Sequence, residues 1–209
     1  APDGVEPTET PTYRRSEAFP FVRAECHAVR AKVGLYETSN YGKYEVTGRG
    51  ARTWLDRVFA CRIPRPGRLG LAPLLNPAGR LVGDLSIACL ADDRYLIVGS
   101  GFAEEFHLRW FWSSAPPADV FVRSACSTLA GVSIAGPRSR DLVQRLVRDD
   151  ISAAAFTLFS VTEAAVGFAP AILTRAGFTG ELGYEIWTTP DYFSSLYDEL
   201  WDAGESLGL

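Results

Sequence analysis

Two carboxylates set among apolar and glycine residues are the side chains of this 209-residue sequence best suited to chemistry. The first is Asp84, in the segment LLNPAGRLVGDLSI. Strand alternation puts Val82 and Asp84 on one face and Leu81, Gly83 and Leu85 on the other, so Asp84 is expected to point where Val82 points. A carboxylate on a partly apolar face is costly unless something pairs with it. Spacing alone leaves two readings open: a functional carboxylate, or an edge-strand aspartate that faces water or pairs with Arg80. The second segment is RAGFTGELGYEIW, with Glu181 in a turn and Glu185 between Tyr184 and Ile186 in a strand. Gly177, Gly180 and Gly183 make the approach to that strand glycine-dense, which lets a flat ligand come close to the backbone. Glu185 is suited to gripping an amidine-like edge, such as the 2-amino group and ring N–H of a pterin, through two parallel hydrogen bonds. The plainer alternative is a glycine-shaped hairpin with both glutamates in water.

Other chemistries find little support. The only histidines, His27 and His107, each fall in an expected amphipathic helix, where a lone histidine is usually a surface or packing residue. No GxSxG elbow is present. Cys26, Cys61, Cys89 and Cys126 have neither CxxC spacing nor histidine partners, so no metal site is expected and free thiols are the default. Gly48-Arg49-Gly50 and Gly99-Ser100-Gly101 do not open a phosphate-binding pattern and read as turns. A formal charge of −4 argues against a broad nucleic-acid or acidic-membrane surface. Lysine occurs only at positions 32 and 43, so arginine carries nearly all the positive charge. No apolar run has the length of a membrane span and no signal peptide opens the chain, so the cytoplasm is expected by elimination. The absence of methionine gives the expectation of a processed chain or a piece of a longer one.

The elements that must position the two carboxylates follow from periodicity. Residues 1–12, with three prolines and no apolar period, read as a linker or arm. Apolar spacing predicts helices over 19–32, 51–60, 103–112 and 137–147, and from Pro190 onward. Strands are expected at Gly42–Thr47, in a meander from Leu71 to Val98 with turns at Asn76–Gly79 and Asp92-Asp93, and in the second half at 119–125, 127–135, 159–165, 169–174 and 184–188. Helices and strands mix without strict alternation, which favours an α+β fold with antiparallel sheets. The prolines at 116 and 117 suggest two subdomains, 13–115 and 116–209.

Together and in this order, LLNPAGRLVGDLSI, IAGPRSR and RAGFTGELGYEIW resemble segments of the aminomethyltransferase family, which includes the glycine-cleavage T-protein and the folate domains of dimethylglycine and sarcosine dehydrogenases. Arg80 stands where the family's strand has a second glycine. The stretch YRRSEAFPFVRAECHAVRAKVGLYETSNYGKYEVTGRGA is similar to the dehydrogenase branch, and the resemblance runs from about Tyr13 to Leu209. It implies antiparallel, ferredoxin-like sheet domains around a central folate channel and a tetrahydrofolate-dependent one-carbon transfer of the aminomethyltransferase or demethylase type. By the same resemblance Asp84 is the catalytic aspartate, which orients a substrate amine or iminium. Glu185 holds the pterin ring, and Phe178 and Leu71 line the folate where the T-protein branch has tyrosines. Those two departures argue against a glycine-cleavage T-protein. The family also has a C-terminal barrel, and its dehydrogenase members an FAD domain; neither is expected in this chain, which has no dinucleotide fingerprint. An FAD-containing oxidase or a C-terminal chain is therefore an expected partner, beside a small methylated donor. The alternative is a non-catalytic folate-binding or scaffold protein of the same fold. The iron–sulfur-assembly relatives are disfavoured, because RAGFTGE lacks their Lys-Gly-Cys-Tyr-x-Gly-Gln motif.

Overall fold

The structure, a computed structural model, describes Thr8 and residues 10 to 209. The arm expected over 1–12 lies for its greater part outside the described residues. The chain runs α1 (Phe19–Ala31), β1 (Gly34–Glu37), β2 (Gly42–Thr47), α2 (Ala51–Val58), β3 (Arg68–Leu75), β4 (Leu81–Ala91) and β5 (Arg94–Gly99). It continues through α3 (Glu104–Ser113), β6 (Phe121–Ser124), β7 (Ala130–Ala135), α4 (Ser139–Leu146), β8 (Val161–Val166), β9 (Ala169–Thr174), β10 (Gly183–Thr188) and α5 (Pro190–Glu205). The strands form two five-stranded sheets, in the orders β3-β4-β5-β2-β6 and β1-β7-β10-β9-β8, with every strand pair antiparallel. The α+β class with antiparallel sheets is thus the observed architecture.

Each half of the chain lends an edge strand to the other half's sheet. Strand β1 pairs with β7, and β6 pairs with β2. Strand β1 was not among the expected elements. Four residues, GLYE, are too few to set a period, and the strand is fixed by its partner, with Leu35 opposite Ile134.

Alternation within the strands sorts the core into three clusters. Tyr44, Val46, Ile87 and Ile97 of the first sheet pack on Trp54 and Leu55 of α2 and Phe111 of α3. Val132, Ile134, Tyr184 and Ile186 of the second sheet pack on Leu142 and Val143 of α4 and Leu196 and Leu200 of α5. The remaining cluster contains no helix residue: Leu69, Ala88 and Leu96 of the first sheet meet Val161 and Trp187 of the second. The result is four layers, helices outside and two sheets face to face. Helix α1 forms as its spacing predicts, but only Val29 is buried, while Phe21 and Val22 stay exposed.

The sheets approach closely around Trp187, which is 1% exposed and lies opposite Gly131 in register. A Cβ on Gly131 would stand 2.2 Å from the indole ring, nearer than any real side chain tolerates. Gly131→Ala is expected to destabilise the domain by about 1–3 kcal/mol, the usual cost of overpacking a filled core. Urea denaturation of the variant checks this.

One seam of backbone hydrogen bonds stitches the sheets together: Leu69 donates to Phe159 O (2.8 Å) and Val161 to Gly67 O (3.0 Å), and Arg68 and Ser160 form a β-bridge. Where the sheets are not in contact, a cleft opens between them.

Candidate functional site

The cleft has a volume of about 430 Å³. Asp84 and Ser86 of β4 line one side, with Leu69 and Leu71 of β3. Glu185 of β10, Phe159 and the Ala176–Phe178 stretch line the other, and Tyr41 closes the lining. All four residues singled out from the sequence, Asp84, Glu185, Phe178 and Leu71, therefore face one space, although about a hundred residues separate the two carboxylates. Pockets that take small organic ligands run to roughly 300–1,000 Å³, so a bicyclic heterocycle is within range.

Asp84 lies in the regularly paired part of β4, and alternation sends it, with Ser86, toward the cleft; a β-bulge lies just before it. Strand β4 is central in its sheet, not an edge, and Asp84 lies opposite Pro73. The register slips between Leu74, paired with Gly83, and Leu75, paired with Leu81, leaving Val82 as the extra residue. Val82 consequently packs against the helix-side core, while Asp84 lines the inter-sheet cleft. This corrects the expectation that the two share a face: simple alternation fails across a bulge because one residue is left unpaired. Asp84 is exposed to the cleft and, among the described residues, forms no ion pair. The salt bridge to Arg80 offered by proximity in sequence does not form.

Glu185 is set differently. Strand β10 lies between β7 and β9, so Glu185 sits in the middle of the second sheet, opposite Ser133 and Thr174. Its neighbours Tyr184 and Ile186 point into the helix-side core, and alternation sends the carboxylate toward the cleft. Burial pushes its pKa up, and hydrogen bonds from Thr174 and Trp187 offset only part of that. The Thr174 hydroxyl is 3.5 Å from Oε2, a long contact, and among the described residues no cation pairs with the carboxylate. A half-buried carboxylate without a cationic partner is suited to a ligand that brings its own N–H donors. Glu181, four residues earlier, leaves the cleft to pair with Arg30 at 3.2 Å.

The apolar lining residues stand at the rim. Leu71 is 64% exposed and Phe178 is 94% exposed, so neither ring nor methyl groups are satisfied by protein contacts. The turn behind Phe178 depends on Gly180, whose φ of 78° favours glycine.

Tyr41 was not anticipated. It sits in the loop between β1 and β2, where no period predicts side-chain direction. Lys43 anchors that loop: fully buried, it donates from Nζ to Ser39 O (2.6 Å) and Tyr41 O (2.9 Å). Burial and the neighbouring Glu185 raise the Tyr41 phenol pKa. Phe159 was also missed as a lining residue, and its backbone is left-handed, with φ 63°. The histidines stay outside the site. His27 is exposed on α1, and His107 is buried with Nδ1 2.9 Å from the Tyr44 hydroxyl, burial lowering its pKa. The four cysteines are free, and among the described residues no group of three or more His, Cys, Asp or Glu is placed to hold a metal ion.

A two-sheet α+β domain with a cleft between the sheets, holding one exposed and one desolvated carboxylate, is the class these features define. Residues 5–209 match the family described as the GCVT N-terminal domain, and the chain belongs to that family. It is 28% identical over 208 residues to mitochondrial dimethylglycine dehydrogenase of Mus musculus, covering 99% of this chain and 24% of that protein. It is 30% identical over 193 residues to the aminomethyltransferase of Bacillus subtilis, covering 91% of this chain and 53% of that protein. The chain thus spans about a quarter to about half of the length of these relatives. Among solved structures, the glycine cleavage system aminomethyltransferase T of Bartonella henselae superposes with a TM-score of 0.75 at 20% identity, over 85% of this chain and 47% of that one. A chain of the heterotetrameric sarcosine oxidase of Corynebacterium sp. U-96 superposes with a TM-score of 0.70 at 16% identity, over 95% of this chain and 98% of that one. These two likenesses establish the fold. The cytoplasmic expectation stands beside a mouse relative described as mitochondrial, and no helix of the described residues is long and apolar enough to cross a membrane.

Proposed function

We propose that this domain binds tetrahydrofolate in the inter-sheet cleft and takes part in one-carbon transfer from an N-methyl amine or a related donor. The observation that carries the reading is that Asp84 and Glu185 line one cavity while, among the described residues, neither is paired with a cation. The residues present fit such a group. Glu185 offers two acceptor oxygens in a partly desolvated setting, Gly177 lines the cavity with backbone alone, and Phe178 and Leu71 offer apolar surface at the rim. Family membership and the aminomethyltransferase relative support the same general chemistry.

In this reading Glu185 accepts two hydrogen bonds from the pterin edge and fixes the ring's orientation. The bound folate supplies the nitrogens that carry the one-carbon unit. Asp84, as an anion, holds a cationic amine beside those nitrogens and takes up the proton released when transfer occurs. Holding both partners in one cleft removes much of the entropic barrier of a two-substrate reaction. Oxidation of the amine, where it is required, falls to an FAD-containing oxidase domain, attached or separate; the likeness to a chain of a heterotetrameric sarcosine oxidase supports a separate one.

Calorimetric titration with a reduced folate, followed by an assay of one-carbon transfer from N-methylated amines, tests the proposal. Saturable binding at one equivalent with transfer supports it. Binding without transfer from any donor leaves a non-catalytic folate-binding protein, and no binding at all ends the folate reading.

A further inference from the structure

We infer that Arg68 is a positioning residue for the cleft: its guanidinium holds the Thr157–Ser160 turn so that Phe159 keeps a left-handed backbone and its ring stays on the cleft wall. A φ of 63° is unfavourable for a bulky side chain, and such a conformation persists only where the surroundings over-determine it. Here they do. The Phe159 N–H donates to Arg175 O (2.9 Å), beyond the end of β9, and Phe159 O accepts from Leu69 N–H (2.8 Å) in β3. The two peptide groups of one residue are thereby tied to opposite sheets.

Arg68 brackets the same residue. Its Nη1 donates to Thr157 Oγ1 (2.8 Å) and Ser160 Oγ (2.9 Å), and its Nη2 donates to Leu158 O (2.7 Å). No carboxylate among the described residues pairs with it, so its charge serves this turn. The planar fork matters, because a lysine ammonium cannot reproduce bonds from two nitrogens at fixed angles. Relaxing Phe159 to a negative φ would break these bonds and tilt the ring away from the cavity it lines. Arg68 itself is not among the cavity's lining residues, so it acts through Phe159.

The inference rests on the folate reading only for what the cleft wall is for. Amide hydrogen exchange on the ligand-free chain therefore tests it first. Arg68→Ala should speed exchange at the Phe159 and Leu69 amides on the order of tenfold, while the β7–β10 amides keep their protection. Arg68→Lys should fall between. In a Phe159→Gly background, where the left-handed backbone costs little, the same Arg68→Ala change should speed those amides by less than about threefold, because the strain it restrains is gone. With a reduced folate, Arg68→Ala should weaken binding on the order of tenfold with Phe159 present and hardly at all with glycine there. Unchanged exchange in Arg68→Ala, or equal acceleration in both backgrounds, would overturn the inference. An unmodified chain that binds no folate yet shows the exchange pattern refutes the proposed function and leaves Arg68's role standing.

Discussion

Asp84→Asn is expected to lower one-carbon transfer by roughly a hundredfold or more while reduced folate still binds, since a positioned acid–base group contributes about 10²–10⁴ to rate. The substitution keeps the side chain's size and removes its charge and basicity. Asp84 is exposed to the cleft and, among the described residues, pairs with no cation, so an amide there costs the fold little. What changes is the ability to hold a cationic amine and to accept its proton. Steady-state kinetics paired with a folate titration on the same preparation separates the two effects. A variant with full transfer activity rules out the assigned role. One that has lost folate binding as well shows Asp84 to be a binding residue.

Glu185→Gln should produce the opposite division. Folate affinity falls first, because a carboxylate accepts two N–H bonds and an amide presents one acceptor and one mismatched donor. Hydrogen bonds to charged groups contribute about 1.5–3 kcal/mol, which corresponds to a loss of roughly tenfold to a hundredfold in affinity. The free domain should become more stable at neutral pH. Burial raises the folded-state pKa of Glu185 above its unfolded value, so from the unfolded pKa upward the unfolded chain ionises more readily. The group's contribution to stability is therefore fully present below the unfolded pKa and is lost as pH rises through the folded pKa. Replacing it with glutamine removes that loss. Thermal melts between pH 4 and 8 should show the variant gaining on the unmodified chain as pH rises, and a constant gap would contradict the assignment. In the proposed reading, function opposes stability at this residue.

The sequence was most legible where periodicity is long. Helices α2, α4 and α5 and strands β5, β9 and β10 follow from apolar spacing, and the antiparallel class follows from the turn signals between strands. It was least legible where a side chain's direction depends on pairing. The slip that leaves Val82 unpaired, and so off the face of Asp84, depends on how β4 registers against β3, which no local pattern encodes. Strand β1 exists only through β7, and Tyr41 and Phe159 sit in loops whose conformations are set by Lys43 and by bonds to both sheets. Lys43, which alternates with Tyr44 along β2, is itself fully buried beneath the inter-sheet loop. Glu185 was readable for the reverse reason. It lies in a regular strand whose neighbours are plainly core, so alternation alone sends it to the other face.

Titration of the isotopically labelled chain with a reduced folate, followed by nuclear magnetic resonance, is the most direct test of a shared cleft. The backbone signals of Asp84, Ser86, Phe178 and Glu185 should shift together, on one binding curve with one equivalent of ligand. Shifts confined to one of the two sheets, or none in any of these residues at saturating ligand, would contradict it.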